Sequence, residues 1–142
     1  IPGSLVGSEM CIRDRIQSIY LLIAVISMTL ISFKVPIYYL NETLFMAQDD
    51  TKIFVLTIVG ALFSLLGLFM FKNRKFQMKL IRLTVLIQMI IGIRMFMLFI
   101  KFEVVLNNSF LFLMVFTLIT LIMAYRGVKK DDDLVRSIDR IR

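Results

Sequence analysis

Histidine is absent from this 142-residue chain, and cysteine occurs once, at Cys11. Without histidine the commonest general base and the commonest metal ligand are both missing. A single cysteine excludes an internal disulfide framework and any zinc site built from several cysteines. Acidic residues are also few, 10 against 17 Lys and Arg, and none lies inside the four long apolar stretches. No nucleophile–base pair, paired carboxylates or metal set can be assembled from what remains, so the reading is of a non-enzyme with no cofactor.

What is abundant is apolar. Hydrophobic residues make up 59% of the chain and the mean hydropathy is +0.88, against roughly 45–50% apolar residues in soluble globular proteins. A single small domain cannot hide that much apolar surface, and a bilayer is the simpler host. The net charge of +7 does not imply a nucleic-acid partner. Its basic residues sit in short runs between apolar segments, which is the membrane-topology pattern, rather than in a patch interleaved with stacking aromatics.

Four stretches are long enough to cross a bilayer: about 16–33, 53–71, 80–100 and 109–125. The first has no charge, and at 1.5 Å per residue covers about 27 Å of a hydrocarbon core of about 30 Å. All four are apolar around their whole circumference, unlike surface helices of soluble proteins. The expected fold is all-α: an integral membrane four-helix bundle over residues 15–127, followed by a tail at 128–142. The first span has Arg13 and Arg15 before it, as a signal peptide would, but no small-residue cleavage site follows it, and a retained anchor is the expectation.

Counting Lys and Arg by segment sets the orientation. With both termini and the middle loop on the cytoplasmic side, thirteen of the 17 basic residues lie inside and three, Lys34, Lys52 and Lys101, outside. A multi-pass protein of the bacterial inner membrane with both termini cytoplasmic is expected. Residues 34–52 form the outer loop, where Tyr38 and Tyr39 suit the interface. Asn41-Glu42-Thr43 matches a glycosylation sequon, a pattern that chance alone supplies in a bacterial protein.

Small and polar residues in the spans mark packing seams. They are Thr57, Gly60, Ala61, Ser64 and Gly67 in the second, Thr84, Gln88 and Gly92 in the third, and Thr117, Thr120 and Ala124 in the fourth. Arg94 is the anomaly, because a charge at the bilayer centre costs roughly 2.5–3.5 kcal/mol. Two readings stand: it snorkels to the outer headgroups, since Ile100 at the end of the span is only about 9 Å away along the axis, or it serves a ligand site. No acid lies within any span to pair with it. The ten methionines lack accompanying histidine or cysteine and read as adaptable core filler rather than a copper site.

In the tail, Gly127 is expected to end the fourth helix and Asp131, Asp132 and Asp133 to start a short amphipathic one. Leu134, Val135, Ile138 and Ile141 share its apolar face. Lys129, Lys130, Arg136, Asp139 and Arg140 are its candidate contacts with anionic headgroups or a partner.

"RIQSIYLLIA" at residues 15–24 and "AYRGVKKDDDLVRSIDRIR" at the end resemble the terminal motifs of a family of small membrane proteins of unknown function from the Bacteroidetes. Its members carry four predicted transmembrane helices, and the resemblance implies no activity, cofactor or site. "SEMCIRDR", at residues 8–15, resembles a translated sequencing-adapter tract, so residues 1–14 are expected to be a non-native leader. The functional expectation is an accessory or assembly subunit bound to a membrane partner or to itself. The alternative is a small transporter or channel component using Arg94 and Gln88 in an oligomer.

Overall fold

The computed structural model describes the backbone of residues 2–70 and 72–141, and the side chains of residues 15–70, 72–138 and 140. Its elements run α1 (Pro2–Phe33), β1 (Pro36–Leu40), β2 (Thr43–Met46), α2 (Thr51–Phe69), α3 (Arg74–Phe102), β3 (Val105–Leu106) and α4 (Asn108–Ile141). Four of its helical segments are long and apolar enough to cross a membrane: Arg15–Phe33, Thr51–Phe69, Arg74–Phe102 and Asn108–Ile138. Each helix packs on its neighbours around a ring, α1 on α2, α2 on α3, α3 on α4 and α4 back on α1.

The expectation of an all-α chain is corrected at one end. β1, β2 and β3 form an antiparallel sheet in the order β2-β1-β3. Two short strand-forming runs, "PIYYL" and "TLFM", flank Asn41 and Glu42. Both of these residues have positive φ, 49° and 67°. A two-residue hairpin needs that left-handed geometry at both central positions, and asparagine tolerates it well. The sequon thus sits at a tight, exposed turn. Tyr38 stacks on Phe45, centroids 5.0 Å apart, and turns into the bundle; Tyr39, Leu44 and Val105 line the opposite, exposed face.

The expectation of a separate tail helix is also corrected. α4 passes through Gly127 without a break, so Asp131 lies in mid-helix. Glycine is present there for space rather than as a stop. A Cβ at residue 127 would lie 3.0 Å from Gln17 Cγ on α1, closer than side chains ordinarily pack. The same device brings α1 and α2 together, since a Cβ on Gly60 would lie 3.0 Å from Cε and 3.1 Å from Sδ of Met28.

Two apolar clusters fill the bundle. Ile31, Ile53, Ile91, Met95 and Phe110 pack beneath the sheet with Ile37 and Tyr38. Leu21, Ala24, Ile81, Leu121, Ala124 and Val128 fill the opposite, basic end. The small-residue face expected of α2 is buried, comprising Thr57, Gly60, Ala61, Ser64 and Gly67. Thr117, Thr120 and Ala124 are buried likewise. The helices' other faces point outward and are as apolar as the core, as in α1, where Ile19, Leu22, Ile26 and Leu30 are exposed. An outward apolar face around the ring suits a multi-pass membrane protein.

Two glycines separate packing from propensity. At Gly92 an added Cβ would meet nothing within 4 Å. Gly60→Leu is expected to destabilise by about 1–3 kcal/mol through overpacking against Met28. Gly92→Leu should be neutral or stabilising by up to about 1 kcal/mol, because leucine is the better helix former. Unfolding midpoints of both variants in the same detergent check this, and equal effects would contradict the packing assigned to Gly60.

Candidate functional site

Polar side chains gather at the two ends of the bundle and along the α3–α4 seam. At the sheet end, Asp50 caps α2, with its Oδ1 accepting from the Lys52 N–H at 3.1 Å. Its Oδ2 accepts from Arg94 Nη2 on α3 at 3.4 Å. The Arg94 side chain is 36% exposed and that of Asp50 14%, so the pair is half sheltered. Arg94 Nε is buried and has no partner among the described residues. Tyr38 lies within electrostatic reach of this pair. Burial pushes its phenol above the usual value; Asp50 adds to the rise, Arg94 offsets part of it, and Asp49 raises it further.

The partner of Arg94 therefore lies just outside the spans rather than within them. Asp50 and Arg94 stand at equal distances in sequence from Lys72 in the α2–α3 turn, and antiparallel helices bring such positions level.

The other candidates on α3 do not converge with Arg94. Four residues advance about 40° beyond a full turn, so strict four-residue spacing rotates steadily around the helix. Thr84 is fully buried and donates back to the Leu80 carbonyl at 2.9 Å. Gln88 turns to α4, where its Nε2 reaches Met114 Sδ at 2.9 Å and the Met114 carbonyl at 3.4 Å. Gly92 opens into a lateral groove of about 340 Å³ between α3 and α4, lined with Met89, Phe96, Met114 and Val115. Gln88 lines the same groove, so Gln88 and Gly92 share the α3–α4 seam while Thr84 lies apart, fully buried.

At the basic end, Asp131 is 1% exposed and accepts from Gln17 Nε2 at 2.6 Å. Its backbone carbonyl accepts from Arg74 Nη1 at 3.4 Å. One residue of α4 is thereby held by α1 and by α3. Gln77 on α3, also buried, donates to the Gly67 carbonyl on α2 at 3.1 Å, and toward the sheet end Ser32 donates to Thr57 between α1 and α2 at 2.8 Å. Near this end Arg82 donates through Nε at 3.2 Å and Nη2 at 2.8 Å to the Tyr125 hydroxyl. Its Cζ lies 5.4 Å from the Tyr125 ring centroid.

The tail candidates are spread along the free face of α4. Lys129, Lys130, Arg136 and Arg140 are exposed, and Arg136 Nε pairs with Asp132 Oδ2 at 3.3 Å. The side chain of Asp139 lies outside the described residues. Sequence reasoning missed Gln17, Gln77, Asp131 and the Arg82–Tyr125 pair. The available signal was an amide or carboxylate at the margin of an apolar run, where burial requires a bonded partner. Among the described residues no group of three or more His, Cys, Asp or Glu could hold a metal.

The contacts in these clusters tie one helix to another. A double-mutant cycle on Arg94→Leu and Asp50→Asn is expected to show a coupling of about 0.5–2 kcal/mol, as for residues in one polar network. Asparagine keeps the helix cap, so the cycle isolates the charge pair. Arg94→Lys should lose less than Arg94→Leu. Additive losses would show that the pair does not tie α2 to α3.

No curated protein and no solved structure matches the chain. The model of one protein family, described as a domain of unknown function (DUF4293), matches residues 14–141. The chain belongs to that family.

Proposed function

We propose that this protein is a non-enzymatic accessory or assembly subunit of the bacterial cytoplasmic membrane, spanning it four times with both termini inside. The observation that carries the reading is the continuity of α4. A single helix of 34 residues, about 51 Å long, exceeds a hydrocarbon core of about 30 Å. Its far end leaves the apolar region at Tyr125 and displays Lys129, Lys130, Arg136 and Arg140. The hold of Gln17 and Arg74 on Asp131 makes this extension a fixed projection, suited to contact with an acidic partner surface. Gln17, Ser32, Gln77 and Gln88 are engaged in ties between helices, which supports a structural role over a catalytic one.

The orientation rests on the excess of basic residues at the ends of the chain and in the α2–α3 turn. A transport path through Arg94 and Gln88 draws no support from their placement. Arg94 bonds toward the start of α2 and Gln88 toward α4. Residues 1–14 are read as a foreign leader; they precede the matched residues almost entirely.

Reporter fusions at Arg142 and within the β1–β2 hairpin should report cytoplasm and periplasm respectively; the reverse pattern would overturn the topology. Removing residues 1–14 and starting before Arg15 should leave the amount of protein in the membrane unchanged, and a loss would show the leader to be native. Replacing Arg136 and Arg140 by Glu should leave the protein in the membrane but release proteins that co-purify with it in mild detergent. Equal recovery of those proteins would remove the tail from the contact.

A further inference from the structure

The α3–α4 seam carries a second crevice, nearer the basic end than the Gly92 groove. Its volume is about 320 Å³, and it is lined by Ile81, Arg82, Val85, Leu86, Ile122 and Tyr125. That volume lies at the lower end of small-ligand pockets, about 300–1,000 Å³. The lining is sharply divided. Leu86 and Ile122, each about one turn toward the middle of the bundle, make an apolar slot with Ile81 and Val85. Arg82 and Tyr125 stand together at the mouth on the basic side.

We propose that this crevice is a binding site for one anionic glycerophospholipid of the cytoplasmic leaflet, its acyl chain in the slot and its phosphate on Arg82. The proposal rests on the membrane orientation proposed above. Three observations select this occupant. The first is the division itself, apolar toward the middle of the bundle and cationic toward the basic end, which matches an amphiphile standing head-out at that leaflet.

The second is the set of the guanidinium. Arginine has five N–H donors in a planar fork. Tyr125 occupies the edge made by Nε and Nη2, and among the described residues Arg82 makes no other hydrogen bond or ion pair. The end-on edge, Nη1 with the second hydrogen of Nη2, is left for a two-pronged bond to phosphate. The tyrosine bond and the ring beneath the Cζ hold the fork in one orientation.

The third is the excess of positive charge around the mouth. Lys79 lies one turn before Arg82, and Arg126 and Lys129 follow Tyr125; all three are exposed and unpaired among the described residues. Of the nearby acids, Asp131 is turned inward to Gln17, Asp132 is paired with Arg136, and the exposed Asp133, beside Arg126, Lys129 and Lys130, offsets only part of the excess. A second copy docked here about a two-fold axis would bring this positive stripe against itself, which argues for a lipid over a homodimer. Basic pockets between helices on the cytoplasmic side are a recurrent means of holding acidic headgroups.

The test is native mass spectrometry of the full chain in non-ionic detergent, titrated with dioleoyl-phosphatidylglycerol or dioleoyl-phosphatidylcholine. The phosphatidylglycerol adduct should form at least about fivefold more tightly, the scale expected for one basic contact near the surface. Arg82→Gln should abolish that preference, and Arg82→Lys, which keeps the charge but not the fork, should lose part of it. Val85→Phe fills the slot without touching charge and should weaken both lipids, which also decides the matter if the Arg82 variants do not fold. Equal binding of the two lipids, or an unchanged preference in Arg82→Gln, would overturn the site. So would displacement of the lipid by inorganic phosphate, or a dimer that Val85→Phe dissolves. Recovery of the wild-type protein in the membrane fraction separates these failures from failure of the membrane reading itself.

Discussion

Apolar helices in a bilayer have no hydrophobic reason to prefer one another to lipid. If this bundle spans a bilayer as proposed, what holds it together must come from close backbone approach and from polar bonds between helices. The structure uses both, and at separate places. Gly60 beneath Met28 brings α1 to α2, and Gly127 beneath Gln17 brings α1 to α4. The Gln17–Asp131, Gln77–Gly67, Ser32–Thr57 and Gln88–Met114 bonds then join each helix to its neighbours around the ring. A buried polar group left without its partner costs about 1–3 kcal/mol, so these bonds specify which helix lies beside which more than they add net stability.

The two ends of the bundle are finished differently. At one end a small sheet covers the core, with Tyr38 turned inward and Asp50 joining α2 to Arg94. Asn107 adds a further tie there: its N–H donates to the Ile37 carbonyl, its Nδ2 to the Pro36 carbonyl, and its Oδ1 caps α4 at Ser109. The sheet end is thus closed by backbone pairing. The other end is left open and basic, with α4 extending past the short α2–α3 turn. A closed end and a charged, protruding end fit the proposed role, in which partners are met on one side of the membrane.

The spans were legible because an uncharged apolar run of bilayer length is rare outside transmembrane helices. The buried face of α2 was legible because small residues recur there at helical spacing. The hairpin was open to reading in "PIYYLNETLFM", where β-branched and aromatic runs flank an asparagine-led pair, yet β3 has only two residues and no sequence signal of its own. Asp50 was hidden as the partner of Arg94 because the two meet only once α2 and α3 fold back on each other. Gly127 misled for a physical reason: glycine ends helices by adopting positive φ, but here it stays helical and gives up its side chain to let Gln17 pass. Of the stripe Thr84, Gln88 and Gly92, the last two do share the α3–α4 groove, and helical drift takes only Thr84 away from it.

If the bundle spans a bilayer as proposed, the outward faces of the four helices meet lipid while the polar ties lie within. Spin labels placed singly along α3 in a bilayer, read for collision with oxygen and with a water-soluble nickel chelate, distinguish the two faces. Oxygen maxima are expected at Leu86, Ile90, Ile93 and Met97, minima for both reagents at Thr84, Gln88 and Ile91, and nickel access only toward the ends. Nickel access at Ile90 or Ile93, or oxygen access without helical period, would rule this arrangement out.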